Sequence, residues 1–143
     1  MIGISKRNGR ACLDPEDDNF VYNFVIQCGE RGDRFELSKP QQLRLLEAGE
    51  VQAWNLYRKY NPDAHIDLSG CDFGGLDLWG VNFAHADLSD TSFHESILIE
   101  ADFKFSKISQ ANFNFSRLFL ADFTGVDTHE ARGLTKLIEG LGK

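Results

Sequence analysis

The sequence is poor in the residues that usually announce chemistry. Its three cysteines, Cys12, Cys28 and Cys71, contain no CxxC pair, so neither a thiolate zinc site nor a disulfide framework is indicated, and reduced thiols are the expectation. His65, His85, His94 and His129 are scattered, and no HExxH, nucleophile elbow or P-loop occurs. No run of eighteen apolar residues is present, which leaves no helical candidate for spanning a bilayer. Only three prolines interrupt the chain, and a 42% hydrophobic share places it among globular chains rather than disordered ones. The start has basic residues but no following apolar run of signal-peptide length, which predicts a cytoplasmic protein.

A basic excess is missing as well. The formal net charge is −7, and it sits in one region: between Ile66 and Asp127 ten acids face Lys104, Lys107 and Arg117, whereas the rest carries twelve acids and twelve bases. Direct binding of nucleic acid through a basic patch is therefore disfavoured.

What is present is repetition. From Ile66 to Gly125 the chain reads as twelve five-residue units without insertion: IDLSG, CDFGG, LDLWG, VNFAH, ADLSD, TSFHE, SILIE, ADFKF, SKISQ, ANFNF, SRLFL and ADFTG. The middle residue is large and apolar in all twelve, from Leu68 and Phe73 to Leu118 and Phe123. Neither 3.6 nor 2 divides a period of five, so the chain must turn a corner once per unit.

Units such as ADLSD, ADFKF, ANFNF and ADFTG resemble the pentapeptide-repeat family. The preceding LLEAGEVQAWNLYRKYNPDAHIDLSG also resembles a leader found before such repeats in bacterial, especially cyanobacterial, members. The resemblance implies a mainly β fold, a right-handed four-sided β-helix, with the central residue and the residue two before it pointing inward. Read with a period of twenty, the central residues fall into uniform columns, such as Leu68, Leu88 and Ile108, or Phe73, Phe93 and Phe113. Three coils at a strand spacing of about 4.8 Å would span about 15 Å.

The flanks do not repeat. Residues 1–37 include FVYNFVIQ at Phe20 to Gln27, whose aromatic and β-branched content predicts a strand, with Arg34 to Leu37 returning as a hairpin. Residues 38–65 read as a helical N-terminal cap: Ser38 and Gln41 have capping-box spacing, Gly49 breaks or bends the pattern, and Asn61 before Pro62 ends it. The repeats occupy 66–127. In 128–143, Leu134, Leu137, Ile138 and Leu141 follow helical spacing, which predicts a C-terminal helical cap.

Function is expected on the outside of the repeats. The resemblance places the aspartates before the central residues on the surface, as solvated ladder residues rather than an acid/base array, and a filled β-helix offers no pocket. The expectation is a non-enzymatic interaction or scaffold module without cofactor, metal or small-molecule substrate. Trp79, Ile97, Ile99, Phe119 and Leu120 form a candidate apolar interface, because Trp79, Ile99 and Phe119 are twenty residues apart and should stack as one column. Either the Phe20–Gln27 strand covers it, or a protein partner or second copy does. Asp67, Asp72, Asp77, Asp87, Asp90, Glu95, Glu100 and Asp102 form a candidate acidic surface. Some members of the family that the chain resembles protect DNA gyrase by imitating duplex DNA, so gyrase or topoisomerase mimicry is the alternative. The third coil, with Asp122 against Lys107 and Arg117, counts against it.

Overall fold

The computed structural model describes residues 5–7, 10–12, 18–31 and 35–134, with side chains described at 22–31 and 35–134. The chain divides into two compact units, Met1–Ala64 and His65–Lys143. Among the described residues no helix is long and apolar enough to cross a membrane.

In the first unit, β1 (Ser5–Arg7) and β2 (Arg10–Cys12) pair antiparallel, with Arg7 opposite Arg10. Three helices follow: α1 (Asp18–Arg31), α2 (Lys39–Glu47) and α3 (Val51–Tyr60). The strand expected at Phe20 to Gln27 is thus overturned, because α1 runs through it. Its apolar residues are buried at Phe24, Val25 and Cys28, a helical spacing that faces one side, and packing against α2 and α3 outweighs the local β preference. Gly29 permits close contact with α3, since a Cβ there would lie 3.3 Å from the Tyr60 ring.

The return strand expected at Arg34 to Leu37 is absent from the described part, residues 35–37. There the Phe35 N–H donates to Asn61 Oδ1 and the Leu37 N–H to Tyr57 Oη, so side chains of α3 and of the residue that caps it take the donors that a sheet would have used. Phe24, Phe35, Tyr57 and Trp54 form a chain of ring contacts with centroids 5.4 to 5.8 Å apart. The capping box is present: Gln41 N–H donates to Ser38 Oγ, and Ser38 N–H donates to Gln41 Oε1. Gly49, at φ +73°, separates α2 from α3.

The second unit is a β-helix. Parallel bridges join residues twenty apart, as in Asp67 with Asp87 and Asp87 with Lys107, so each coil takes four units. Each side contributes one-residue bridges rather than strands, and the regular strands among the described residues are β1 and β2. The expected β content takes this form because only the middle of a five-residue unit is extended before the next corner.

Each corner repeats one bond: the first residue of a unit donates its N–H to the preceding central carbonyl, at 3.0 to 3.3 Å, from Cys71 to Leu68 through Val126 to Phe123. The fifth residue lies at positive φ, between +58° and +73°, as the third residue of a type II turn does.

The interior is filled by side chains. The central residues from Leu68 to Leu118 are buried and Phe123 is half-buried. Phe93 stacks on Phe113 with centroids 5.0 Å apart, and Phe103 on Phe123 at 4.9 Å, while the two ring columns, on opposite sides, meet edge-on from Phe93 and Phe103 onward. The position two before the centre points inward as well. It narrows to small residues, and Thr91 and Ser96 return their hydroxyls to the Leu68 and Phe93 carbonyls.

The coil path runs past the last recognisable unit. Arg132 bridges Asn112, the Phe113 N–H donates to the Arg132 carbonyl, and Arg132 N–H donates to the Ala111 carbonyl, both at 2.8 Å. The helical cap expected over 128–143 is therefore overturned for 128–134, and 135–143 lie outside the described residues. Here Thr128 and Gly133 stand where a large apolar centre is expected, which hides the continuation from pattern reading. Gly133 is required at this place: φ is +87°, and a Cβ would lie 2.5 Å from the Asn114 nitrogen. Gly133→Ala should destabilise the repeat unit by about 2 kcal/mol. Urea unfolding followed by far-UV circular dichroism checks this, and an unchanged midpoint would contradict it.

Candidate interaction surface

The corner geometry decides what reaches the surface. In each unit the residue before the centre, the residue after it and the left-handed fifth residue project outward, and these carry both predicted surfaces. The aspartates have a structural task that their solvated appearance conceals. Asp67, Asp72, Asp77, Asp87 and Asp102 each accept the backbone N–H two residues on through Oδ1, at 2.8 to 3.3 Å. Asn82 and Asn112 do the same at 3.0 and 2.9 Å. This is an Asx turn, and it asks for a short side-chain acceptor rather than for a charge. The signal was present in the sequence as Asp or Asn recurring at one register of the unit.

Asp90, Glu95 and Glu100, the other members of the acidic surface, occupy left-handed fifth positions at φ +59° to +60°. There they accompany His85, Phe105, Gln110, Phe115 and Leu120, so eight of the twelve corners hold a side chain where glycine would be least strained.

Apolar exposure concentrates on the third side and its corners. Trp79 is 52% exposed, Phe119 71% and Leu120 64%, whereas Ile97 and Ile99 are half-buried. Gly80 N–H donates to the Ile99 carbonyl and Glu100 N–H to that of Phe119, which sets Trp79, Ile99 and Phe119 on successive rungs. Trp79 Nε1 donates to Glu100 Oε2 at 3.4 Å. Phe115 is 82% exposed at the corner between the second and third sides. Phe105 differs: its ring stacks on His85 at 5.2 Å and occupies the space a Cβ at Gly125 would need.

On the second side Asp72, Gly74, Gly75, Ser92, His94, Glu95 and Asn112 line a shallow, open depression, with His94 Nδ1 3.4 Å from Glu95 Oε1. Among the described residues no group of three or more His, Cys, Asp or Glu could hold a metal ion.

The sequence model of the family described as pentapeptide repeats (8 copies) matches residues 66–104 and 96–127. Residues 66–127 are pentapeptide repeats. No curated protein matches it.

Solved pentapeptide-repeat structures that match include HetL, involved in heterocyst differentiation regulation, from the cyanobacterium Nostoc sp. It is 21% identical over 48% of this chain and 36% of its own, with a TM-score of 0.35. A protein of the Arabidopsis thaliana thylakoid lumen is 22% identical over 46% of this chain and 49% of its own, at a TM-score of 0.29. One from the cyanobacterium Cyanothece is 17% identical over 46% and 52%, at 0.18. The chain spans about a third to a half of the length of these proteins.

Within these pentapeptide repeats, Asp122 shows what a corner does to a carboxyl. The Thr124 hydroxyl donates to Oδ1 at 2.6 Å and the Thr124 N–H at 2.9 Å, and these two bonds, with Lys104 adding a smaller attraction, hold the carboxyl below the ordinary aspartate range. A carboxyl depressed in the folded state contributes stability that is present above the unfolded value, near pH 4, and lost as pH falls through the folded value. NMR titration should place Asp122 below about 3.9, and Thr124→Val should move its midpoint upward. Equal midpoints in the two proteins would refute the assignment to Thr124.

Proposed function

We propose that this pentapeptide-repeat protein is a non-enzymatic interaction module of the cytoplasm that displays side chains from a rigid coil stack. In this reading the repeats wind right-handed as three full coils.

The observation that carries the proposal is the exposure of Trp79, Phe119 and Leu120 on one side. Apolar clusters of this kind mark contact surfaces, and Leu120 stands at a corner, φ +61°, where glycine would be less strained. Supporting it, the interior is packed with rings and small side chains, which leaves chemistry and recognition to the outside.

A second reading, mimicry of duplex DNA against a topoisomerase, draws on the acids of the first two coils. It is weakened by Lys107 and Arg117 in the third.

The test compares the natural chain with a Trp79→Ser, Phe119→Ser variant as bait in quantitative affinity capture from the source cell. At least one protein should be retained by the natural chain and reduced about tenfold by the variant, as loss of a hot-spot aromatic pair requires, while the melting temperature stays within a few degrees. Identical retention profiles would remove the surface from consideration. In a supercoiling assay, molar excess of the chain should neither inhibit nor protect DNA gyrase; inhibition would favour mimicry instead.

A further inference from the structure

The two corners that frame the third side carry the same succession through the coils. One runs Gly75, Glu95, Phe115 and the other Gly80, Glu100, Leu120, each at positive φ. Between them stands the column Trp79, Ile99, Phe119. The side therefore presents an apolar stripe that widens in the third coil, edged on both flanks by a glutamate in the second.

We propose that this side receives a basic amphipathic helix of a partner protein, laid along the coil axis. The proposal rests on the reading of the chain as an interaction module and assigns that module its partner class.

Spacing favours a helix over a strand. Rungs repeat about every 4.8 Å. An α-helix presents a residue to one face every turn of about 5.4 Å, whereas alternate residues of an extended strand are about 6.6 Å apart. Three rungs match two helical turns, so apolar residues at i, i+4 and i+7 of the partner can each meet one of Trp79, Ile99 and Phe119.

Backbone chemistry points the same way. Along this side the donors and acceptors are used between coils: Leu78 N–H to the Ile97 carbonyl, Ile97 N–H to that of Leu76, Leu98 N–H to that of Arg117 and Arg117 N–H to that of Ser96. A strand laid there would find no ladder to extend, and recognition must run through side chains.

Charge selects the partner's sign. Asp77, Glu95 and Glu100 lie on or beside the stripe, with Arg117 as the opposing charge. A second copy would bring another acidic stretch of ten acids against three bases from 66 to 127, and like charges across an interface oppose association. Lysine or arginine on both flanks of the partner's apolar face would meet Glu95 and Glu100. Neither glutamate serves the fold through an Asx corner; Glu100 accepts from Trp79 Nε1 and Glu95 lies beside His94, and each keeps a carboxylate charge that a partner cation can meet.

A random 16-residue peptide library displayed on phage and selected against the intact chain tests the assignment. Enriched peptides should combine apolar residues at i, i+4 and i+7 with flanking Lys or Arg, and a synthetic representative should bind in fluorescence anisotropy. Its affinity should fall about tenfold or more in the Trp79→Ser, Phe119→Ser variant. Glu95→Gln with Glu100→Gln should leave the melting temperature unchanged, weaken binding several-fold at low salt and flatten its salt dependence.

Enriched peptides that are acidic, or that alternate with period two, would overturn the helix assignment. Peptides whose affinity ignores both variants would overturn the site while leaving the interaction module standing. A dimer in sedimentation velocity that dissociates with Trp79→Ser, Phe119→Ser would give the side to a second copy. Failure to enrich any peptide, together with identical retention in affinity capture, would remove both readings.

Discussion

Once every five residues, from Gly70 to Gly125, the backbone must pass through the left-handed region, and the β-helix exists only if each of those corners closes. Three bonds cooperate there. The first residue of the next unit donates back to the central carbonyl, the fifth residue donates down to the following coil, and the side chain before the centre accepts the N–H two residues on where it is Asp or Asn. Glycine removes the steric penalty at four corners. At the other eight a side chain is held at positive φ, each at a cost of about 1–2 kcal/mol. Those corners stand because the bonds on both sides over-determine them.

Closing the corners fixes the interior. With the path set, the central residue and the one two before it have nowhere to point but inward, and the coil must be filled to close-packed density. Rings and leucines alternate around each coil so that ring stacks on ring down a column, and the inner row is kept to alanine, serine and threonine where the chains approach. Ser96 and Ser116 there return their hydroxyls to the corner carbonyls and so serve the turn, whereas the Ser106 hydroxyl is buried without a partner. This leaves the outward positions as the variable part of the molecule.

How much of this was legible follows from where the signal was redundant. The central columns were stated twelve times, and the structure places them as read. The capping box at Ser38 and Gln41 was legible because two residues with one spacing suffice for it.

Other elements depended on partners distant in the chain. Phe20 to Gln27 has strong local β preference, yet Phe24, Val25 and Cys28 are buried on one helical face among α2 and α3, a context no local window contains. The Asn8-Gly9 dipeptide between β1 and β2 is a strong hairpin signal that the aromatic run overshadowed. The path through Arg132 could not be read from centres, since Thr128 and Gly133 replace them; Asp127, whose Oδ1 accepts the His129 N–H, was the one residue that kept the register.

The Asx corners separate what the fold needs from what the surface can express. Asn82 and Asn112 close corners as well as the aspartates do, so the predominance of aspartate over asparagine at that register is not explained by geometry. The same holds for Glu95 and Glu100, where glycine would be less strained. The corner geometry does not call for a charge at these positions, and self-repulsion along the coils is a small cost of carrying it. Of the ten acids between 66 and 127, only Asp77, Glu95 and Glu100 lie on the third side or at its corners, so these three, and not the aspartates of the other sides, bear on how the apolar stripe is used.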